Sequence, residues 1–576
     1  MSHLVFPCGC RFKIVGDSSP GDIKAAALDK MPRVDISLNP WDEDSIYRIS
    51  TTCDLTWDLI SEGRTKGIFQ LETNFGQQWA KKAKPHSIED LGALVALLRP
   101  GCVRAMSGDP PKSMAQRYVD RKAGHEEVLY LHKAIEHTLE TTYGVLVYQE
   151  QAMRIAEEVA AFNKQDADVL RKAIGKKKAD VMAKVEKEFL EKAEIAKIIT
   201  LDEAKEIFSW IRESQKYSFN KSHAIAYAQD SYWSAYIKAH FPLTFYGAWI
   251  LGANWKNAEK YEEIAELVND AKISGIAVKT PQLPYITPQT TIINDEYVQF
   301  GLTEVKGIGP ATVTEMQEKM PEIISSIGKP VLDWTWMDYL IFAAPKLAKD
   351  VNVALISIGA LDYMGGTRKA KLFEYEQFLL LGKTLEVSWL QTHFHSRMWP
   401  CLSVALRELA PARKISKGVQ ISGGGTSNKA RQQKVEGLVQ VLENPPSKLI
   451  DAIDWVVFQE EAFLGVPISA TKVDGCLEAC EANTTCKEFL DGKSGWMLLA
   501  VEVVDVEVLK TKSGKNPGSK MARIKVRDHS CAINGVVFPK QWAEFSPVFY
   551  IGSTIMMQVE PTKDGGLSVI KAKEIS

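Results

Sequence analysis

Apolar positions recur at helical spacing through much of the first half of the chain. In LDEAKEIFSWIRE (Leu201–Glu213), Leu201, Ala204, Ile207, Phe208 and Ile211 fall on one face of a helix. Thr200, three residues before Glu203, supplies the matching N-terminal capping box. The same texture runs from Trp57 to about Tyr261, so this stretch is predicted to be helical. Between Ala271 and Thr303 the period is lost, and KTPQLPYITPQTT (Lys279–Thr291) reads as a surface loop of proline and threonine turns. Helical patterning weakens again after Asp362. ISKGVQISGGGTSNKARQQK (Ile415–Lys434) has the composition of a flexible basic linker. From Trp496 onward the pattern changes to alternation: MLLAVEVVDVEVL, MARIKVRD, AINGVVF, TIMMQVE and LSVIKAKEI. Five short alternating segments in so short a span predict a small closed β-barrel. The expected fold class is multidomain and mainly α, with a C-terminal, OB-like β-barrel.

A chain of 576 residues exceeds what one core can fill, so several domains are expected. The net charge of −2 gives no global attraction to nucleic acid, which leaves local patches as the only basis for such binding. No apolar run approaches the ~20 residues of a membrane span, and no membrane partner is expected. The opening MSHLVFPCGCRF lacks the basic-then-apolar layout of a signal peptide, and nine scattered cysteines suit a reducing compartment. The expected location is cytoplasmic.

Four constellations carry candidate chemistry. The first is VLRKAIGKKK (Val169–Lys178), which gathers Arg171, Lys172, Lys176, Lys177 and Lys178 around Gly175. Clustered cations repel unless a polyanion sits among them. Arginine offers a planar fork and lysine a point charge, as a nucleoside triphosphate requires. The plainer alternative is a solvated helix end. The second is FNKSH (Phe219–His223), where Asn220, Lys221, Ser222 and His223 place donors just before a helix, whose N-terminus itself attracts anions. Ser222 serving as a simple N-cap is the structural alternative. Tyr227, Tyr232, Trp233 and Tyr236 recur at helical spacing and read as core. The third is LTEVKGIGPATV (Leu302–Val313), which has the spacing of a helix-hairpin-helix: two helices joined by a Gly-apolar-Gly turn. Gly307 and Gly309 would let backbone amides approach a DNA phosphate, with Lys306 beside them. The fourth is the loop KTKSGKNPGSK (Lys510–Lys520), whose Lys510, Lys512 and Lys515 suit single-strand binding by a small barrel, or simply solubility.

Metal sites are poor. Cys8 and Cys10 are too close for a zinc knuckle, and Cys476, Cys480 and Cys486 lack a fourth partner. Asp166 and Asp168 imitate a two-metal pair but open the helix that leads into the basic knot, where acids suit the helix N-terminus.

These segments, in this order, resemble the alpha subunit of bacterial DNA polymerase III, the C-family replicative polymerases. The matching text is TKGIFQLET (Thr65–Thr73), ALVALLRPG (Ala93–Gly101), YVDRKAG (Tyr118–Gly124), YGVLVYQEQAMRIA (Tyr143–Ala156), DADVLRKAIGKKK, YSFNKSHAIAYA (Tyr217–Ala228) and KAHFPLTFYGAWI (Lys238–Ile250). GLTEVKGIGPATV, VNVALISIGALD (Val351–Asp362) and EAFLGVPIS (Glu461–Ser469) follow. The resemblance implies a residual palm-like or linking segment over 1–60, then the palm end and fingers over 61–255. It further implies a helix-hairpin-helix duplex-binding region over 256–375, a linker and accessory region over 376–490, and the OB-like domain over 491–576. It also implies that the basic knot and FNKSH line an incoming deoxynucleoside triphosphate, and that primer-template DNA is the partner of the hairpin and barrel. Arg171-Lys172 stands where the family commonly has two arginines.

The chain departs from the family pattern further in its palm. Neither the PDxDxDF palm signature nor the KFDFLGL context of a third aspartate occurs in it. Asp17, Asp22 and Asp35 lie in unlike contexts. Two-metal phosphoryl transfer needs such carboxylates. The expectation is therefore a split enzyme: this chain is inactive alone, and a palm- and PHP-bearing chain carries the ligands for Mg2+. QEEAF (Gln459–Phe463) has the glutamine and terminal aromatic of a sliding-clamp peptide, but it overlaps EAFLG. The rival reading is a non-catalytic DNA-binding replication factor derived from such a polymerase.

Overall fold

The computed structural model describes residues 3–5, 11–13, 49–99, 102–103, 106–107, 111–176, 179–214, 218–253, 260–382, 384–411, 415–416, 419–420, 426–511, 518–562 and 566–576. It is mainly helical and ends in a closed β-barrel, as the alternation from Trp496 predicts. Its described residues up to Pro242 form one compact unit, and Leu243–Ser576 form a second.

The first unit has two cores. One gathers Trp57, Leu71, Trp79, Leu94, Tyr118, Val147, Tyr148, Tyr232 and Tyr236. The other gathers Ile155, Val159, Leu170, Phe189, Ile207 and Phe208. Ile135, Leu139 and Leu146 already belong to the second core, and most of its other members lie between Tyr148 and Phe219, where two stretches of backbone run side by side in a parallel bridge. Phe219 N donates to Val147 O at 3.1 Å, and Gln149 N donates to Phe219 O at 2.9 Å.

The Leu201–Ser214 helix forms as its period requires, with the Glu203 carboxylate accepting from Thr200 N at 2.7 Å. Ala204, Ile207, Phe208 and Ile211 are fully buried, whereas Leu201 is exposed. It lies in the first turn, ahead of the stripe's contact with its neighbours. Tyr232 and Tyr236 are core, whereas Tyr227 and Trp233 are half-buried.

Distant segments of this unit hold one another. Lys238 Nζ is buried and donates to the carbonyls of Arg64 (3.0 Å) and Lys66 (2.8 Å), and Ser231 Oγ donates to Phe69 O. Arg121 Nη1 donates to Tyr143 O and Gly144 O, each at 3.2 Å. Gln151 accepts from Val147 N and Tyr148 N, each at 2.9 Å. Segments that bury Ile68, Leu71, Val147 and Tyr148 are thus also fixed through their backbone polar groups, which must find partners once buried.

In the second unit the Lys279–Thr291 stretch is a loop as expected, but it does not lie on the surface throughout, since Thr280, Leu283 and Thr290 are buried. It runs between the strands Ala277–Lys279 and Thr291–Ile293, both of which pair with Tyr297–Gln299. The Ile415–Lys434 stretch is not a linker throughout, because a helix spans Thr426–Glu443. Its apolar residues Val435, Leu438 and Val439 are buried, and Arg431 Nη2 donates to Leu409 O at 2.8 Å, at the end of the Leu402–Leu409 helix. The residues that give this helix its buried stripe lie at or beyond the end of the polar text.

The barrel closes in the order Met497–Lys510, Lys520–Arg527, Ala532–Val537, Leu567–Glu574, Thr554–Pro561 and back to the first strand. All of its pairs are antiparallel except Ala532–Val537 with Leu567–Glu574. Met497, Leu499, Val501 and Val503 alternate into its core. Closure leaves no free sheet edge.

Candidate functional site

The basic knot lies at the end of the Lys164–Lys176 helix. Asn163 caps the start of this helix, accepting from Asp166 N at 3.0 Å, while Asp166 returns a bond to Asn163 N at 3.2 Å. Lys192 also binds the Asp166 carboxylate, and this bond is the largest reason the carboxyl stays below the usual range. Asp166 is therefore the helix-starting acid that its position predicts. Asp168 is not. Its carboxylate takes Lys172 Nζ at 2.7 Å and Arg171 Nε and Nη2 at 3.0 and 2.7 Å, and those bonds hold its pKa down, Lys172 first. An acid three and four positions before two cations on a helix pairs with them. Arg171 and Lys172 thus meet any ligand already part-neutralised. The side chain of Lys176, and Lys177 and Lys178 altogether, lie outside the described residues.

Both carboxylates of the two-metal look-alike are occupied by cations. Among the described residues no group of three or more His, Cys, Asp or Glu is arranged to hold a metal ion. Asp166 and Asp168 do not fit a metal pair. Cys8 and Cys10 lie outside the described residues. Of the other three cysteines, Cys486 is fully buried, Cys476 half-buried and Cys480 exposed.

FNKSH starts the Lys221–His240 helix, and the N-cap is Asn220 rather than Ser222. Asn220 Oδ1 accepts from His223 N at 2.8 Å, and Ser222 is exposed in the first turn. Glu150, near the start of the Gln149–Ala160 helix, reaches across. One of its oxygens accepts from Asn220 Nδ2 and the other from Lys221 N, each at 2.8 Å. Two of the amides that an anion would use are therefore already taken. What this helix end offers outward is side chains: Lys221 lies 5.8 Å from the Tyr148 ring centroid, and the exposed His223 lies between Phe219 and Tyr227, with centroids 5.4 and 4.0 Å away. Arg99 packs over the Phe219 ring at 4.3 Å. Sequence reading overlooked Glu150 and Arg99. The available signal was an acid in the first turn of YQEQ and the arginine of ALLRPG, but neither states which distant segment it meets.

In the second unit, LTEVKGIGPATV is half of the expected motif. Pro310–Ile327 is the second helix, but the first is only a single 3-10 turn, Leu302–Glu304. The strand Tyr297–Gln299 ends too close upstream for more. At Gly301 the backbone runs so near Gln289 that a Cβ would lie 2.3 Å from its Cα. The Gly-Ile-Gly turn itself is present. Gly307 has φ +91°, Ile308 is buried, and Gly309 is the N-cap ahead of Pro310. Lys306 is exposed, and its backbone N–H donates to Phe463 O at 2.7 Å. The turn borders a cleft of ≈ 660 Å³ that Leu251, Tyr261, Gln289 and Thr303 also line.

Phe463 belongs to the Ile453–Leu464 helix, so Gln459–Phe463 is helical rather than an extended peptide. Its Glu460 is fully buried, accepting from Arg368 Nη1 at 3.0 Å and from the amides of Ile468 and Ser469 at 2.7 and 2.8 Å. In the barrel, exposed Lys510 sits opposite Lys520 where the first two strands end. Lys512 and Lys515 lie outside the described residues. Among the described residues no helix is long and apolar enough to cross a membrane.

Residues 37–197 match the family model of the bacterial DNA polymerase III alpha subunit finger domain. The DNA polymerase III subunit alpha of Aquifex aeolicus is 34% identical over 346 residues, covering 59% of this chain and 27% of the relative. That of Bacillus subtilis is 30% identical over 521 residues, covering 88% of this chain and 40% of the relative. That of Escherichia coli K12 is 32% identical over 300 residues, covering 51% and 24%. The chain spans between about a quarter and two fifths of the length of these relatives.

Proposed function

We propose that this chain, a relative of the C-family DNA polymerase III alpha subunits, acts in DNA replication as a component of a DNA-directed DNA polymerase. On this reading it binds and orients rather than carrying out phosphoryl transfer. Arg171 and Lys172, with Lys176, Lys177 and Lys178 beyond them in sequence, bind the phosphates of an incoming deoxynucleoside triphosphate. Lys221 and His223 approach it with their side chains, while Asn220 holds the helix end that carries them and Ser222 offers an exposed hydroxyl. Lys306 and the amides of Gly307 and Gly309 contact duplex phosphates regardless of sequence. Lys510, Lys512 and Lys515 contact the single-stranded template.

The observation that carries this reading is the bridge at Tyr148 and Phe219. It sets the Lys221–His240 helix end beside the start of the Gln149–Ala160 helix, one helix ahead of the Lys164–Lys176 helix that carries Arg171 and Lys172. On this reading the palm ligands for Mg2+ belong to a separate chain. Primer-template DNA, nucleotides and that chain are the partners, in the cytoplasm. For a sliding clamp, the helical Gln459–Phe463 stretch offers no extended peptide.

Primer extension with this chain alone, and then with a palm-bearing polymerase chain added, tests the proposal. No extension alone and nucleotide incorporation in the mixture is the expected result. DNA binding without incorporation in the mixture would favour the non-catalytic replication factor instead.

A further inference from the structure

We propose that Glu150 is a positioning residue. Its carboxylate sets the orientation of the Asn220–His223 helix end and so the placement of Lys221 and His223; the placement rests on geometry alone, and its effect on nucleotide use rests on the function proposed above. Three observations support it. The two Glu150 oxygens are divided between the Asn220 side chain and the Lys221 amide, each at 2.8 Å, so the carboxylate fixes two successive residues. Asn220 is thereby held with its amide nitrogen toward Glu150 and its oxygen toward His223 N, also 2.8 Å. The contact spans 70 positions of sequence and closes beside the backbone bridge of Tyr148 and Phe219, which fixes the height of the two segments but not the rotation of the helix that follows. A charge-assisted acceptor shared by two donors supplies that second constraint.

This arrangement also decides how the helix end meets an anion. The Glu150 carboxylate occupies the position over the first amide that a phosphate would otherwise take. Glu150 therefore excludes phosphate from the helix axis and turns the site toward side-chain recognition.

The polarity of the hydrogen bonds gives a specific test. In E150Q one glutamine atom can still accept from Lys221 N, but its amide nitrogen then faces the Asn220 amide nitrogen, donor against donor. In N220D an aspartate oxygen faces the Glu150 carboxylate, acceptor against acceptor. In E150Q/N220D the glutamine nitrogen can donate to the new carboxylate, whose other oxygen still caps His223 N. Amide hydrogen exchange on the full chain reads the placement directly. The Lys221 and His223 amides should exchange about tenfold faster in each single variant and return to wild-type rates in the double variant, a pattern that general loosening of the fold does not produce. In the polymerase assembled with its palm-bearing chain, each single variant should raise nucleotide KM several-fold more than it lowers kcat, with duplex affinity unchanged and the double variant restored.

Unchanged exchange in the single variants, or no rescue in the double, overturns the positioning role whatever the activity. If the exchange pattern holds and nucleotide KM does not respond, the positioning stands and its link to nucleotide use is overturned. If the wild-type mixture fails to use nucleotides at all, the function proposed above has failed, and the exchange result still decides the positioning role.

Discussion

Two helix beginnings in this chain carry the sequence features of anion sites, and they are built in opposite ways. At the start of Lys221–His240 the amides are taken: Glu150 holds that of Lys221 and Asn220 holds that of His223. At the start of Pro310–Ile327 no side chain caps the helix, Gly309 is the N-cap, and proline at the first position has no N–H to leave unpaired. Among the described residues the Gly307 and Gly309 amides have no partner, and nothing lies within 4 Å of where their Cβ atoms would be. The first end presents side chains and the second presents backbone. Side chains can discriminate between ligands. A bare backbone turn suits a repetitive polyanion such as a duplex, whose phosphates look alike at every step.

The most forceful way to break this contrast is Gly307→Val. The position needs φ +91°, which costs a β-branched residue ~1–2 kcal/mol. There is open space around it, so conformation rather than collision causes the loss. Duplex affinity by fluorescence anisotropy should fall on the order of tenfold for every sequence tried. Unchanged affinity would reduce the turn to a structural role. Next in size, Asn220→Ala unseals the first helix end and should lower stability to urea by ~1 kcal/mol, the usual worth of such a cap. Asp168→Asn sharpens the contrast from the other side. It frees Arg171 and Lys172, so nucleotide KM in the assembled enzyme should fall roughly threefold, in line with the worth of exposed ion pairs. A rise in KM would mean that Asp168 orients the two cations rather than masking them. The smallest effect is expected for Lys306→Ala. If the backbone carries most of the contact, the slope of log affinity against log salt should drop by only about 1.

Much of this architecture was legible in the residues. The Leu201–Ser214 helix with its capping box, the five alternating strands and the Gly-Ile-Gly turn each depend on local pattern, and each formed. What escaped depends on long-range pairing. Nothing in FNKSH reveals that Glu150, seventy residues earlier, already holds its first amide. The Thr426–Glu443 helix was hidden because a polar, glycine-rich prefix precedes its buried Val435, Leu438 and Val439. The first helix of the hairpin was expected because the Gly-Ile-Gly turn usually implies two helices. The strand before it and the close approach at Gly301 leave room for one turn only. Asp168 looked like a metal ligand or a helix-starting acid because spacing alone cannot show which cations it meets.

The side-by-side exit and return of the chain at Tyr148 and Phe219 has a consequence for how the molecule could be taken apart. The intervening residues form a closed excursion whose ends nearly touch, much of it packed around a core that it shares with Ile135, Leu139 and Leu146. Such a segment pays its loop-closure entropy at a single junction. It is not a detachable cassette, however: Ile135, Leu139 and Leu146, which precede it, fill the same core, so replacing residues 150–218 with a short turn should leave those three side chains exposed and the remaining chain prone to aggregate.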